Sequence, residues 1–591
     1  MSFPQGRLTL DFETDGLSPF HGARPFMVGL EDEAGQVIIA EPGTKDWELA
    51  RKLVANPRVT KVSHNAKFEL LMCDAIGWKV GGTWDCTMLQ AALVDEYRGL
   101  SLDSLLLHYF GSSHKNMIKE WLTSNGRWFR SAYGRPPNYS DAPRKLVRKY
   151  LELDLDGQVK LDWTHQKAVG DALQKDVYEM ERDLLRVVVD IEKRGMRVDL
   201  AYCEKALKML GRMREREADA MADALPGKLA GINPNSHYDI VKALHHFKLD
   251  TGEKTKSGLM KASHELLEGL DHPFIASLLR WRTASKVAKT YMEPFMEKSV
   301  DGVLHPSFWQ LGQAEGIKTG RFSSSNPNFQ NLPREELSVG AHTAAVRRAI
   351  IPRPGHSFVL ADYRQIEAIL FFVYADDAEM LRRIGAGQDV YIANAEILFS
   401  GAFDSADEDG KKELRRTAKT ITLALQYGMG VAKMAKKLGT GYEEARRLKE
   451  KFLTKMPSLA RFMISAQRDL ARNNYVEDFF GKRYNVPMDM AYKACNALCQ
   501  GGAAGIMKRA MLAVHSELRR LVPGAGIVNV VHDEIIVETP TESAGKVAKI
   551  LGEVMPYRKF SVPLEIDISI AHKNWADKTP YGPGYRMSST S

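Results

Sequence analysis

Two acids stand two residues apart in the stretch LTLDFETDG, at Asp11 and Glu13. Because side chains alternate along a β-strand, both carboxylates are expected on one face of a strand. Three further acids follow: Glu69 in VSHNAKFEL, Asp85 in GTWDCTML and Asp154 in YLELDLDG. Acids gathered at one point repel one another unless cations neutralise them, and oxygen ligands favour Mg²⁺ or Mn²⁺. Two such ions can activate a water and stabilise a leaving oxygen, so the pattern predicts phosphodiester cleavage.

Tyr150 precedes Asp154 by four residues and is therefore expected on the same helix face, where it can position a water. A lone pair of acids is more often a polar strand end, so the prediction depends on the whole set. In order and spacing, the residues resemble DEDDy-type 3′–5′ proofreading exonucleases over about residues 5–165, which implies an RNase H-like fold. The family has aspartate where Glu69 stands. We expect activity to survive this longer side chain.

A second pattern lies in KKELRRTAKTITLALQYGMG, where Arg415, Lys419, Leu423 and Tyr427 fall four apart. On a helix they form one stripe roughly 18 Å long. Two cations on such a stripe can hold a triphosphate, the arginine by a bidentate fork and the lysine as a point charge. The leucine and tyrosine would then lie under sugar and base. Without context, such a stripe is more often a basic surface helix.

Two acids close apolar stretches in the second half of the chain. SFVLADYRQIEAIL predicts a buried strand that ends at Asp362 and continues into a helix, and GIVNVVHDEIIVETP predicts two strands joined near Asp533. Each acid alone is typical of a helix cap or an ordinary hairpin. Together, on adjacent strands, Asp362 and Asp533 can hold two metal ions for phosphodiester synthesis.

The string TGRFSSSNPNFQNLPR gathers Arg321, Gln330 and Asn331 on one turn-rich segment. Such side chains can donate hydrogen bonds to the minor-groove acceptors N3 and O2, which are nearly the same for every base pair. The pattern favours a protein that grips DNA of any sequence.

Three segments resemble motifs A, B and C of family A DNA polymerases: DYRQIE from Asp362 to Glu367, the helix with Arg415, Lys419, Tyr427 and Gly428, and the turn His532-Asp533-Glu534. TGRFSSSNPNFQNLP, INPNSHYDI and NALCQGGAAGIMKRAM are similar to further stretches of that family, so the likeness covers essentially the whole chain. It implies an α/β RNase H-like exonuclease domain followed by an α+β right-hand polymerase. The expected limits are 1–170 for the exonuclease, 171–300 for a helical thumb, 301–375 for the first part of the palm, 376–470 for the fingers and 471–591 for the rest of the palm.

The resemblance also assigns residues to roles. The metal ligands are Asp362, Tyr363 and Asp533 in the polymerase, with Glu534 nearby, and Asp11, Glu13 and Asp154 in the exonuclease, where Glu69 and Tyr150 complete the catalytic set. The nucleotide-binding residues are Gln365, Glu367, Tyr391, Arg415, Lys419, Leu423 and Tyr427. Lys419 is expected to protonate the pyrophosphate, and Glu367 to exclude a ribose 2′-hydroxyl. The DNA-binding residues are Arg321, Gln330, Asn331, Asn496, Gln500 and His532.

Three positions depart from the family pattern. Leu423 stands where the family usually has phenylalanine or tyrosine, so no ring is expected beneath the nucleotide sugar. Tyr391 stands where many relatives have a histidine that binds the triphosphate, and Tyr492 where many have an arginine. An active polymerase is still expected.

The elements that must position these residues follow from the apolar pattern. Residues 7–40 predict a meander of strands, and 175–300 are expected to be nearly all helical, with one helix ending at Gly195. The Gly/Pro-rich stretch GRWFRSAYGRPPNYSDAPR is expected to be a surface loop.

Composition narrows the class of protein. The chain has 591 residues, a net charge of +8 and five cysteines without a CxxC pair, which suits a polyanionic partner and a reducing cytoplasm. No apolar run is long enough to predict a membrane span. The layout, without a 5′-nuclease domain, suggests a monomeric phage-type replicative enzyme located in the cytoplasm of a host.

The sequence thus predicts a DNA-templated DNA polymerase with 3′–5′ proofreading. Its expected ligands are primer-template DNA, dNTPs and two Mg²⁺ ions per active site, with Mn²⁺ as a substitute, and its expected partners are helicase or primase and single-strand binding protein. Three alternatives stay open: a single-subunit RNA polymerase, a 3′–5′ exonuclease whose second half only binds DNA, and a structural DNA-binding protein. Glu367 and the exonuclease pattern argue against the first, and the two acidic sets against the last.

Overall fold

The structure is a computed structural model, and it describes residues 6–114, 116–170, 172–227, 229, 231–255, 258–311, 318–333, 336–339 and 342–582. Within these ranges, no helix combines the length and the apolar character needed to cross a bilayer.

The N-terminal unit is built on a five-stranded sheet in the order β3-β2-β1-β4-β5. Strands β1 to β3 form an antiparallel meander, as predicted, while β4 and β5 run parallel to β1. Helix α6 packs along β1 and β2. The elements are β1 (Arg7–Thr14), β2 (Pro25–Asp32), β3 (Val37–Ala40), α1 (Lys45–Ala55), β4 (Thr60–Ser63), α2 (Ala66–Ala75), β5 (Trp84–Cys86), α3 (Thr87–Val94), α4 (Leu102–Phe110), α5 (Asn116–Tyr133) and α6 (Arg144–Ala168).

The surface loop expected over GRWFRSAYGRPPNYSDAPR is only partly correct, because α5 continues through the first half of that stretch to Tyr133. Ile118, Gly126 and Phe129 lie on the buried side of this helix. The ring centroids of Trp121 and Phe129 are 6.0 Å apart. Apolar residues at helical spacing outweigh the turn-forming composition, which acts only after Gly134.

One long helix, α7 (Ala172–Arg194), joins the N-terminal unit to the rest of the chain. Val177 and Leu185 belong to the core of the N-terminal unit, whereas Leu184 and Val188 belong to the core that follows. The helix ends at Gly195, as predicted, with φ at +60°. A Cβ at Gly195 would lie 2.5 Å from the carbonyl oxygen of Leu304, so a larger residue is excluded there.

The described part of 175–300 is mainly helical, as expected, although a short strand interrupts it. After α7 come β6 (Met196–Val198), α8 (Leu200–Asp223), α9 (His237–His246), α10 (His264–Leu267), α11 (Pro273–Val287), a π-helical turn (Ala288–Met292) and α12 (Glu293–Lys298).

The C-terminal unit contains a five-stranded antiparallel sheet in the order β16-β17-β13-β18-β19, and α21 and α22 pack against it. The elements are β7 (Val303–Leu304), β8 (Ser307–Trp309), β9 (Ser323–Ser325), β10 (Glu336–Val339), β11 (His342–Ala345), β12 (Ile350–Ile351), β13 (His356–Tyr363), α13 (Ile366–Ala375), α14 (Ala378–Gly385), α15 (Val390–Phe399), α16 (Gly401–Ser405), α17 (Glu408–Gln426), α18 (Val431–Leu438), α19 (Tyr442–Lys455), α20 (Pro457–Asn473), β14 (Val476–Glu477), β15 (Arg483–Tyr484), α21 (Ala494–Leu521), β16 (Gly526–Val531), β17 (Glu534–Pro540), α22 (Ala544–Val554), β18 (Ile566–Ala571) and β19 (Lys578–Pro580).

Helices α7 and α21 are joined by a buried ion pair between Glu181 and Lys508. Both residues are almost wholly buried, at 0% and 1% exposure. The side-chain amide of Gln310 also donates to the Glu181 carboxylate, at 2.8 Å. Burial lowers the pKa of Lys508 to about 8, while the Glu181 charge opposes this shift.

Replacing Lys508 with methionine is expected to lower the free energy of unfolding by about 3–5 kcal/mol, because Glu181 would stay buried without its cation. Urea unfolding measures the loss. The double change Glu181→Gln and Lys508→Met removes both charges and should recover most of the stability. If the single and double variants are equally unstable, the ion pair does not explain the effect.

Candidate functional site

Three acids of the predicted nuclease set lie together where α6 packs on β1, the central strand of the N-terminal sheet. Asp11 and Glu13 project from β1 on one face, and Asp154 reaches them from α6. One carboxylate oxygen from each lies within 4.8 Å of the others. The packing of α6 on β1 therefore closes the cluster that the sequence spacing predicts.

Glu69 joins the cluster from the first turn of α2. It is 2% exposed, and its Oε2 has no hydrogen-bond partner among the described residues. Burial raises the pKa of Asp11, Glu13 and Glu69 well above the ordinary values, and repulsion among the acids adds to the shift. Repelled acids with an unpartnered oxygen fit a hard divalent cation such as Mg²⁺ or Mn²⁺.

Tyr150 lies one helical turn before Asp154 and packs between two side chains that sequence reasoning missed. Its ring centroid is 5.6 Å from that of His114 and 6.1 Å from that of Tyr139. Burial and, to a lesser extent, the nearby carboxylates raise the pKa of Tyr150. His114 Nε2 is 2.6 Å from Asp154 Oδ1. No motif in the sequence marks His114 or Tyr139.

Asp85, which the sequence groups with these acids, belongs to a separate structural cluster. Its carboxylate lies 2.7 Å from Arg7 Nη2 and accepts a hydrogen bond from Tyr178 at 3.0 Å. Arg7 also pairs with Asp162 on α6. The grouping of Asp85 with the nuclease acids is therefore wrong, because a local arginine neutralises this side chain.

Of the two acids predicted on adjacent strands, Asp362 lies on β13, whereas Asp533 lies in the turn just before β17, the strand that pairs with β13. Asp362 is near the end of β13 and pairs in register with Glu534 at the start of β17. The backbone N–H of Tyr363 donates to the carbonyl of Asp533 at 3.1 Å, which joins the two strand ends. The Glu534 carboxylate accepts from Lys578 Nζ at 3.0 Å.

Arg321 adds positive charge to this edge of the sheet. Its guanidinium lies 3.8 Å from Asp533 and also pairs with Glu367. Burial raises the pKa of Asp533, whereas Arg321 and His532 oppose that shift. His532 has φ at +55°, the left-handed conformation that turns the chain between β16 and β17.

Glu367 is the centre of a hydrogen-bonded chain that links four separate segments of the sequence. It accepts from the Tyr427 hydroxyl at 2.8 Å, and Tyr427 accepts from the Gln500 amide at 3.1 Å. Because Arg321 binds the same carboxylate, Glu367 is fixed at the mouth of the acidic site. Tyr427 is the C-cap residue of α17, and its backbone N–H still donates to the Leu423 carbonyl at 2.9 Å.

Gly428 allows α17 to end close to Tyr492. Its φ is +64°, and a Cβ there would lie 2.3 Å from the Tyr492 carbonyl oxygen. The backbone of Tyr492 thus lies against the end of the basic helix.

The basic face of α17 is positioned by an acid that sequence reasoning missed. Asp389 caps α15 and forms a bidentate pair with Arg415, at 3.1 and 2.7 Å. Gln365 donates to the same carboxylate at 2.6 Å. The capping position two residues before Tyr391, in GQDVYIANAEI, is the only sequence signal for it.

Tyr391 lies buried beneath both cations of the stripe. Arg415 and Lys419 each lie 5.6 Å from its ring centroid. Burial raises the pKa of Tyr391 to about 12. The Lys419 side chain is exposed, while Leu423 is half-buried. Arg415, the first residue of the stripe, lines a cleft of about 520 Å³ together with Asp362, Gln365 and Asp389.

Several predicted contacts face the protein in this structure. Gln330 is buried and its amide donates to the Val530 carbonyl, so a minor-groove contact would require that bond to break. Asn331, by contrast, is exposed, and its backbone carbonyl accepts a hydrogen bond from the Tyr291 hydroxyl. The Tyr363 hydroxyl donates to the Met555 carbonyl, so its side chain points away from the acids. Asn496 is buried, and its Oδ1 has no partner among the described residues.

Comparison with known proteins gives two family matches. A model described as DNA polymerase family A matches residues 203–577, and one described as 3′–5′ exonuclease matches residues 4–142. DNA polymerase I of Chloroflexus aurantiacus is 30% identical over 555 residues, which are 90% of this chain and 56% of that protein. The thermostable DNA polymerase I of Thermus aquaticus is 31% identical over 71% of this chain and 49% of that protein. This chain spans about half the length of both relatives.

The fold is shared with a solved structure, the polymerase domain of Pol1 from M. smegmatis in complex with DNA primer-template and dNTP. The TM-score is 0.80 at 23% identity, and 96% of each chain is covered. The predicted fold class, an RNase H-like exonuclease unit joined to a right-hand polymerase unit, is confirmed. The two acidic sites and the basic helix α17 agree with these matches. Because the model of DNA polymerase family A matches most of the chain, this protein belongs to DNA polymerase family A.

Proposed function

We propose that this chain is a DNA-templated DNA polymerase with a 3′–5′ proofreading exonuclease. The observation that carries the proposal is the presence of two separate acidic sites. Asp11, Glu13 and Asp154 lie within 4.8 Å of one another, and Asp362, in the C-terminal unit, lines a cleft of about 520 Å³ together with Arg415. The reaction is attack by the primer 3′-hydroxyl on the α-phosphate of a dNTP, which forms a phosphodiester and releases pyrophosphate.

In the polymerase unit, Asp362 and Asp533 would hold the divalent ions, proposed to be two Mg²⁺ with Mn²⁺ as a substitute. When bound, such ions stabilise the charge that develops on the transferred phosphoryl group. Arg415 has a guanidinium already oriented by Asp389, so it is preorganised to bind phosphate oxygens. Lys419, exposed above Tyr391, is placed to donate a proton to the leaving pyrophosphate.

In the same unit, Glu367 and Tyr427 form the wall that selects the sugar. Their hydrogen bond, and the pair between Glu367 and Arg321, hold the carboxylate against displacement. A ribose 2′-hydroxyl would have to break these contacts or leave the carboxylate unpaired, and either cost disfavours ribonucleotides. This arrangement speaks against the RNA polymerase alternative.

In the exonuclease unit, Asp11, Glu13 and Asp154 would hold the ions, with Glu69 completing the set. The Tyr150 hydroxyl is placed to orient the attacking water, since its neutral form is favoured beside the carboxylates. His114 fixes one oxygen of Asp154, which limits the rotation of that ligand. Hydrolysis then releases one nucleotide from the primer 3′ end.

We also propose domain boundaries for the chain, although α7 packs on both cores. The proposed domains are 1–170, 171–300, 301–375, 376–470 and 471–591. The proposed ligands are primer-template DNA and dNTPs, and the protein is proposed to be a monomer. Helicase, primase and single-strand binding protein are its predicted partners.

The cysteines are all free and buried, which supports a location in a reducing cytoplasm. They are Cys73, Cys86, Cys203, Cys495 and Cys499.

A 5′-labelled primer on a longer template, with Mg²⁺, tests both activities. Extension with dNTPs and shortening without them are expected. Asp533→Asn should slow extension at least about a hundredfold and leave shortening intact, and Asp154→Asn should do the reverse. The two variants control for each other. If Asp533→Asn extends the primer normally, the polymerase assignment fails.

Replacing Glu367 with alanine is expected to raise the ratio of ribonucleotide to deoxyribonucleotide incorporation by about tenfold or more, because the carboxylate no longer occupies the space beside the sugar. Single-nucleotide extension with rATP and dATP measures the ratio. Tyr427→Phe removes only the hydroxyl bonded to Glu367 and keeps the carboxylate, so it should raise the ratio less than Glu367→Ala does. An unchanged ratio in Glu367→Ala would contradict the role of this side chain.

The raised pKa values of Asp11 and Glu13 predict a pH effect on stability. A carboxyl whose folded pKa is raised stabilises the fold at low pH, and that contribution is lost as pH rises through the folded value. Without divalent ions, the melting temperature of the wild type should therefore fall, relative to Asp11→Asn/Glu13→Gln, from about pH 5 to about pH 8. Mg²⁺ should reduce this fall. Parallel pH profiles for the two proteins would show that the acids do not repel one another.

A further inference from the structure

The segment between His114 and Tyr139 leaves the exonuclease site and returns to it. At its start, His114 contacts Asp154, and at its end the Tyr139 ring lies 6.1 Å from that of Tyr150. The Asn138 amide also donates to the carbonyl of Asp15, beside β1, at 3.1 Å. The segment that contains α5 is therefore held beside the exonuclease site at both ends, by Asp154 at its start and by Tyr150 and Asp15 at its end.

The outer face of α5 is polar and positively charged. Arg127 and Arg130 are exposed, and neither forms an ion pair with any described residue. They lie one helical turn apart and therefore point to the same side. The opposite face is buried against the unit, through Ile118 and Phe129, so the orientation of the arginines is fixed.

Helix α5 also exposes two large aromatic side chains, close in the sequence to these arginines. Trp128 is 57% exposed and Tyr133 is 60% exposed. Their ring centroids are 5.6 Å apart at an interplanar angle of 84°. Exposed aromatic rings beside unpaired arginines are the combination that proteins use to bind single-stranded nucleic acid, since the bases stack on the rings and the phosphates meet the cations.

We propose that Arg127, Trp128, Arg130 and Tyr133, the α5 patch, bind the unpaired end of the primer strand and guide it to the exonuclease acids. The inference rests on the proposed exonuclease function and adds a binding surface to it. The patch suits single-stranded rather than duplex DNA, because stacking on side chains requires bases that are not paired. Charge complementarity selects a polyanion as the occupant.

The length of α5 sets the reach of the patch. Trp128 lies 12 residues beyond Asn116, about 18 Å along the helix axis at 1.5 Å per residue. At about 3.4 Å per stacked nucleotide, this distance corresponds to about five nucleotides. A substrate of two nucleotides can occupy the acids but cannot reach Trp128, whereas a 15-nucleotide strand can occupy both.

The test compares binding and hydrolysis of a two-nucleotide and a 15-nucleotide oligothymidylate. The variants are Trp128→Ala/Tyr133→Ala and Arg127→Ala/Arg130→Ala, with Trp128→Phe as a conservative variant that retains a ring. Trp163→Ala removes an 82% exposed tryptophan on α6 and serves as the matched control. Fluorescence anisotropy in EDTA gives Kd for the longer strand, and Mg²⁺-dependent shortening gives KM and kcat.

Both alanine pairs are expected to raise Kd and KM for the 15-nucleotide strand by about fivefold or more. They should leave kcat and the two-nucleotide substrate unchanged, while Trp128→Phe and Trp163→Ala behave like the wild type. Wild-type values for the 15-nucleotide strand in both alanine pairs would overturn the proposal, and so would an equal loss for the two substrates. If the wild type shortens neither substrate, the exonuclease function fails, and the Kd values in EDTA still decide whether the patch binds the strand.

Discussion

Repulsion among buried carboxylates is the constraint on which the N-terminal unit depends. Asp11, Glu13 and Asp154 bring three oxygens within 4.8 Å, and burial raises the pKa of the first two. A sheet face and a helix must be held rigidly to keep such groups together at a cost in free energy. The packing of α6 on β1, and the pair between Arg7 and Asp162 on the same helix, supply that rigidity.

In the C-terminal site, the repulsion among the carboxylates is reduced in a different way. Arg321 lies near Asp533, and Lys578 pairs with Glu534, so positive side chains already offset part of the negative charge. Arg321 also binds Glu367, which accepts a hydrogen bond from Tyr427, so the arginine that offsets the charge of Asp533 also holds the Glu367 carboxylate in place. The two units meet at α7, whose buried Glu181 binds Lys508 of α21. One chain can thus keep two acidic sites at fixed positions.

The ends of the strands are predictable from the sequence. When several apolar runs each stop at an acid, they indicate buried strands that bring their acids together. Asp362 and Asp533 followed from this pattern. The partner of Arg415 could not be predicted, since Asp389 approaches it only through the packing of α15 on α17. The inward orientation of Gln330 depends likewise on the tertiary fold. The extent of α5 was misjudged because Gly126 and the later prolines suggested a loop, whereas packing against α6 decided the outcome.

Titration with Mn²⁺, followed by electron paramagnetic resonance, tests most directly whether this chain holds two independent acidic metal sites. The wild type should bind the ion at both sites. Asp11→Asn/Asp154→Asn should lose only the exonuclease ions, and Asp362→Asn/Asp533→Asn only the polymerase ions. The losses should add in the fourfold variant, because the sites share no ligand. Identical Mn²⁺ binding by all four proteins would contradict the account.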